Sequence, residues 1–208
     1  MPPNDAIPCV YIVRHGRTTL NAQNSFRGNV DPPLDSVGIE QAHKLASLFS
    51  NQDICAIFIS DKSRARKTAE IIDSGRGIPI HESSNLNALN VGKFSGQKRS
   101  KENVQSLQQF LANPDAQIPG GESLNEFRAR VDPCIHEAVR LFLKTGIPPM
   151  VVCHSSVVRE VGHLVYGDHK KILVEPGGAI ALYFRNGELG AEPIFRPMAD
   201  SKKADTIS

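Results

Sequence analysis

Three stretches of this 208-residue chain join an apolar run to polar residues suited to anion chemistry. Arg14-His15-Gly16 follows the run from Cys9 to Val13. Ser60-Asp61-Lys62-Ser63-Arg64 follows Ile-Cys-Ala-Ile-Phe-Ile at 54–59. His154-Ser155-Ser156 follows Pro-Met-Val-Val-Cys at 149–153. Two histidines and two arginines brought to one place would suit a dianionic phosphoryl group. Arginine offers planar, multidentate donors, and a neutral imidazole is a competent nucleophile. Taken singly, each stretch reads as well as a surface loop or a satisfied core histidine; their shared position after an apolar run is the signal.

The elements that must carry these residues follow from the apolar pattern. Near-continuous rather than alternating apolar runs predict strands covered on both faces, as in a parallel sheet. Asp35 or Ser36 is placed to cap a helix whose apolar side holds Ile39, Ala42, Leu45, Ala46, Leu48 and Phe49. Further helices are expected over 62–73, over 100–112, from Ser123 onward and over 156–165; Pro133 is positioned to kink or split the third of these. Asn186-Gly187, between 179–184 and 190–195, signals a hairpin. The expected architecture is α/β: a doubly wound, mostly parallel sheet with helices on both faces. Residues 78–120 show no clear strand and read as an excursion over the ligand edge. The expected organisation is a flexible N-terminus at 1–8, one domain at 9–197 and a flexible tail at 198–208.

Composition narrows the partners. Lys and Arg total 24 against 22 Asp and Glu, a formal charge of +2, so nucleic acid is not expected as a partner and any basic cluster must be local. No apolar stretch is long enough to span a bilayer, and Met1–Pro8 lacks the basic and apolar regions of a signal peptide. No membrane partner is expected. Cys9, Cys55, Cys134 and Cys153 form no CxxC pair; they read as buried thiols in a reducing cytosol.

The motifs resemble those of the histidine phosphatase (phosphoglycerate mutase-like) superfamily. Arg14-His15-Gly16-Arg17-Thr18-Thr19-Leu20-Asn21 is similar to its signature, and Gly28 to Ala42, Ser60 to Ala69, Pro119 to Ser123 and His154 with Arg159 follow in the family's order. The resemblance covers residues 9–185. It implies His15 as phosphoryl acceptor, Arg14 and Arg64 as ligands to the phosphoryl oxygens, and His154 as the second pocket histidine. Asn21 would line the pocket, with Ser155 at its strand-end edge. Neither metal nor cofactor is implied. The implied partner is a small phosphorylated substrate or a phosphoprotein.

One departure bears on mechanism. The family's Glu-bearing motif, which supplies a general acid to the leaving oxygen, reads here Leu86-Asn87-Ala88-Leu89-Asn90-Val91-Gly92, with alanine at the acid position. Three explanations stand open: a leaving group that needs no acid, a substitute carboxylate with Glu122 first and Asp31 second, or a pocket that binds without turnover. Arg17 stands where Glu or Gln is usual; it reads either as a recruit for a second anionic group or as a solvent-facing side chain. Asn87, Lys93, Lys98 and Arg99 are candidates for recognising the body of the substrate.

Overall fold

The computed structural model describes residues 7–28 and 30–197. It contains β1 (Ile7–Arg14), the single turn α1 (Thr19–Ala22), α2 (Ser36–Phe49), β2 (Ile57–Ile59), α3 (Ser63–Asp73) and β3 (Ile80–Glu82). The second half adds α4 (Lys101–Ala112), α5 (Leu124–Thr145), β4 (Met150–Cys153), α6 (Ser155–Tyr166), β5 (Ala179–Arg185) and β6 (Glu188–Phe195). One six-stranded sheet has the order β3-β2-β4-β1-β5-β6. The first four run parallel, and β5 alone is antiparallel to both its neighbours.

Side-chain alternation along the strands builds two cores. Val10, Ile12, Val151, Cys153, Ile180 and Leu182 face α5 and α6, meeting Phe127, Val131, Ile135, Val157 and Val161. Their neighbours Tyr11, Val13, Ile57, Ile59, Met150, Val152, Ala179 and Ala181 face α2 and α3, meeting Leu45, Phe49, Ala65, Ala69 and Ile72. Because both faces of the central strands are dry, the residues of β1, β2 and β4 are apolar until the strand ends, which is why the polar residues cluster there.

Several expectations are corrected. Ile7 and Pro8 belong to β1, not to a flexible end; residues 1–6 and 198–208 lie outside the described residues. The 78–120 segment does contain a strand, β3, but it is three exposed residues on the sheet edge and leaves no periodic trace. Pro133 does not divide α5, which runs unbroken for 22 residues from a Ser123–Glu126 capping box to Gly146. Its ring lies on the exposed side of the helix. Leu48 is 37% exposed rather than core. Cys9 and Cys153 are buried as expected, whereas Cys55 and Cys134 are half-buried, Cys55 lying before β2 rather than inside it.

Among the described residues no helix is long and apolar enough to cross a membrane.

Candidate active site

The carboxyl ends of β1, β2 and β4 are adjacent in the sheet, and each delivers one part of a buried polar cluster. The β1 end is fixed by backbone bonds. Arg14 N–H donates to Gly178 O, His15 N–H to Cys153 O, and Gly177 N–H to His15 O at 2.9 Å. The next turn requires glycine, because a Cβ on Gly16 would lie 2.4 Å from the Gly38 carbonyl oxygen. That close approach seats the start of α2 against the loop, and Thr68 of α3 accepts the Gly16 N–H at 3.1 Å.

His15 is completely buried. Its Nδ1 lies 2.6 Å from the Gly16 carbonyl oxygen. A carbonyl only accepts, so Nδ1 carries the proton and Nε2 presents its lone pair. That Nε2 has no hydrogen-bond partner. The ring of His154 stands edge-on to it with centroids 5.1 Å apart.

Arg64, from the first turn of α3, is also fully buried. Its Nη1 donates to Val30 O at 3.0 Å and to Asp31 Oδ1 at 3.2 Å, while Nη2 lies 3.3 Å from His154 Nδ1. Arginine has no acceptor, so His154 Nδ1 accepts and Nε2 holds the proton. His154 Nε2 donates to Ser60 Oγ at 2.7 Å, and Ser60 Oγ donates to Asn87 Oδ1 at 2.6 Å. A single chain of donors thus runs from Arg64 through His154 and Ser60 to Asn87, fixing the ring and its tautomer. Asn87, read from sequence as a contact to the substrate body, is a positioning residue for His154.

Electrostatics keeps both rings neutral. His15 is held well below the usual imidazole value of 6.5, first by burial and then by His154, Arg64, Arg27 and Arg14. His154 is depressed by burial, then by Arg64, Arg27 and Arg14. Ring-nitrogen NMR from about pH 7.5 to about pH 5.5 is expected to show both imidazoles uncharged throughout; protonation of either near the usual value contradicts this geometry. The same shifts make acid destabilising. The unfolded chain takes up protons below about pH 6.5 that the folded chain excludes, so the stability these burials allow is intact above that point and declines below it.

Arg27 is the main residue that sequence reading missed. It follows Phe26, and burial, then Arg14, Arg64 and Arg99, push its guanidinium down to about 9. It acts on both pocket histidines. Nothing in the spacing announced it, since it precedes the Gly28 block by one position. Arg17, by contrast, serves structure: its Nε pairs with Asp35 Oδ2 at 2.9 Å, and Asp35 caps α2.

Other candidates are committed to bonds of their own or stand at the edge of the cluster. Asn21 spends its Oδ1 on the N–H and hydroxyl of Thr18, at 3.1 and 2.9 Å, closing a capping box on α1. Glu122 is held by Arg130, which donates from Nε and Nη2, and also accepts the Asn90 N–H at 2.7 Å. A carboxylate so occupied is a clamp, which takes it off the list of proton donors. Asp31 pairs with Arg64 and accepts the N–H and hydroxyl of Ser63. Lys98 Nζ is bonded to Gln23 O, and Lys93 lies over Phe94 and Phe110. Ser155 opens α6 and, with Arg14, lines a small cleft beside the histidines.

Comparison with known proteins adds a family to this paired set of histidines among arginines. The family model described as histidine phosphatase superfamily (branch 1) matches residues 10–171. The chain belongs to that superfamily. A probable phosphoglycerate mutase GpmB of Yersinia pestis is 34% identical over 150 residues, covering 70% of this chain and 69% of that one. Among solved structures, Bacillus stearothermophilus YhfR aligns with a TM-score of 0.77 at 22% identity, covering 91% of this chain and 97% of that one. The alpha-ribazole phosphatase of Shigella flexneri gives 0.74 at 23% identity, covering 88% and 94%. A mycobacterial glucosyl-3-phosphoglycerate phosphatase gives 0.73 at 20%, covering 91% and 98%. These likenesses establish the phosphoglycerate mutase-like fold. Superfamily membership makes the chain one of a group of phosphatases and mutases acting on phosphate esters.

Proposed function

We propose that this histidine phosphatase superfamily member hydrolyses a phosphoryl group from a small phosphorylated substrate or phosphoprotein through a phosphohistidine at His15, without metal. The observation that carries the reading is the unpartnered, buried Nε2 of His15, whose lone pair is freed by the Nδ1–Gly16 bond. In the proposed reaction Nε2 attacks phosphorus, the P–O bond to the leaving group breaks with its electron pair going to the leaving oxygen, Arg14 and Arg64 bind the phosphoryl oxygens, and the neutral His154 ring, held by Arg64 and Ser60, stands beside the transferring group. Water then attacks the phosphohistidine, releasing phosphate and restoring the neutral ring. Positioning and charge neutralisation dominate such transfers, and this chain's residues supply both. The cytosol is the proposed compartment.

The decisive experiment is capture of the intermediate. Rapid quenching with acetyl phosphate or an aryl phosphate is expected to yield an acid-labile, base-stable phosphoenzyme at His15. Absence of both phosphoenzyme and turnover would favour the second reading, a phospho-ligand-binding module. The observations favouring that second reading are alanine at position 88 and the capture of Glu122 by Arg130. Mutase-type transfer is a third reading, resting on the likeness to GpmB.

The missing acid makes a prediction. General acid catalysis is worth about 10² to 10⁴ in rate. Ala88→Glu is therefore expected to raise kcat/KM for an alkyl phosphate at least roughly tenfold relative to an aryl phosphate. An unchanged ratio would show that protonation of the leaving oxygen is not limiting.

A further inference from the structure

Arg14 does not set its own direction. Its Nη1 donates to the Val174 carbonyl oxygen at 2.7 Å, its main-chain N–H donates to Gly178 O at 2.9 Å, and Glu175 is the carboxylate that faces it. The buried Nε has no partner and is a donor left for a phosphoryl oxygen. All three partners lie on one stretch, residues 168–178, which joins α6 to β5 with neither helix nor strand. Where that stretch sits decides where Arg14 points.

The main-chain hydrogen bonds of this stretch fall at its two ends. Lys171 N–H donates to Asp168 O at 3.2 Å near one end, and Gly177 N–H donates to His15 O and Gly178 N–H to Glu175 O at the other. Between them Ile172 and Val174 are buried, and α6 comes so close that a Cβ on Gly162 would lie 3.4 Å from Ile172 Cβ. Apolar burial is non-directional, so a directional bond is needed to hold the stretch in register. His169 supplies it. Its Nε2 lies 2.7 Å from Arg128 Nη2 on α5. A guanidinium only donates, so Nε2 accepts, Nδ1 carries the proton and the ring is neutral. Burial, then His163 and Arg128, hold this imidazole below the usual 6.5 and keep its lone pair available. The His163 ring stacks on it with centroids 4.2 Å apart and planes 8° from parallel. Arg128 is fixed in turn, its Nε standing 3.3 Å from Glu160, a buried carboxylate of α6. One guanidinium of α5 thus ties both α6 and the connecting stretch.

We propose that His169 is a positioning residue for Arg14: bonded to Arg128, it fixes the 168–178 stretch, and the Val174 carbonyl on that stretch aims the Arg14 guanidinium at the phosphoryl group. This rests on the phosphoryl-pocket reading above and adds to it a residue that touches neither substrate nor the reacting atoms. A group so placed acts on ligand affinity only through Arg14, and small misplacements of a binding group are felt strongly.

Calorimetric titration of the full chain with inorganic phosphate reads that dependence. Arg14→Ala is expected to weaken binding at least roughly tenfold and His169→Ala roughly fivefold. In the double variant the second substitution is expected to add less than about twofold, because the arginine it positions is gone. His169→Gln offers Arg128 a side-chain carbonyl without the ring, and is expected to return affinity to within about twofold of wild type. His169 is half-buried, so its truncation is expected to leave the fold intact, checked by circular dichroism. Affinity unmoved by His169→Ala, an undiminished loss on adding it to Arg14→Ala, or a His169→Gln variant as weak as His169→Ala overturns the positioning role alone. Absence of phosphate binding in the wild type, or an Arg14→Ala variant that binds as tightly as wild type, overturns it together with the phosphoryl-pocket reading.

Discussion

His15→Ala is expected to abolish turnover of aryl phosphates and acetyl phosphate, lowering kcat by roughly 10⁴ or more and removing the phosphoenzyme entirely. The expectation follows from the ring's two nitrogens having different tasks. Nδ1 is held by the Gly16 carbonyl oxygen, so Nε2 is left to attack, whereas the Ser60 hydroxyl and both His154 nitrogens are committed to hydrogen bonds. Because His15 is completely buried, the truncation also leaves a cavity, and circular dichroism must show a folded chain. His15→Gln fills more of the space and is expected to be equally inactive. Residual turnover above a few per cent of wild type in either folded variant would remove His15 from the role of phosphoryl acceptor.

Arg130→Ala is expected to have the largest effect on stability. The Arg130 guanidinium donates to the carbonyls of Asn85 and Asn87 at 2.8 and 2.9 Å, to Ala88 O at 3.0 Å, and to both oxygens of Glu122. It therefore fastens the loop that carries the empty acid position to α5. Truncation would strand a largely buried carboxylate and three carbonyls at once. Breaking such a pair costs about 3–5 kcal/mol when fully buried, and the residual solvent contact of both side chains places the expectation near 3. For a chain of this size that is a fall in Tm of roughly 6–12 °C. Activity is expected to fall further than stability implies, because the same loop holds Asn87 against Ser60 and hence His154. Arg130→Lys, with one donor group for five acceptors, is expected to recover little of either. A stability loss below about 0.5 kcal/mol would show that the clamp is ornamental.

Legibility in the sequence followed burial. β1, β2 and β4 were readable because two dry faces demand unbroken apolar runs, and the polar residues that end those runs mark the site edge. The hairpin at Asn186 was readable from local turn chemistry, with Asn186 at φ 52° and Gly187 at 81°. β3 was not, since three exposed edge residues carry no pattern. The role of Glu122 was misread for a different reason: its motif is visible, but its partner is eight positions away on a helix face, and only the packed structure brings them together. Arg27 and Arg17 illustrate the same limit in reverse. Both are arginines beside recognisable motifs, yet Asp35 claims Arg17 while no described carboxylate claims Arg27. Which of two cations faces a ligand is decided by where its counter-charge sits, and that is a tertiary fact.

The donor chain through the two pocket residues has a consequence for how the molecule assembles. Arg64 reaches His154 across 90 positions of sequence, and Ser60 reaches it across 94. These contacts join the ends of β2 and β4, neighbouring strands in the middle of the sheet, and so require those strands to be paired. Such non-local pairings close late and together in folding. Capacity to bind phosphate therefore reports on the integrity of the whole sheet. In a denaturant titration it should vanish with the far-ultraviolet signal rather than before it, making the ligand a probe of cooperative unfolding as well as of chemistry.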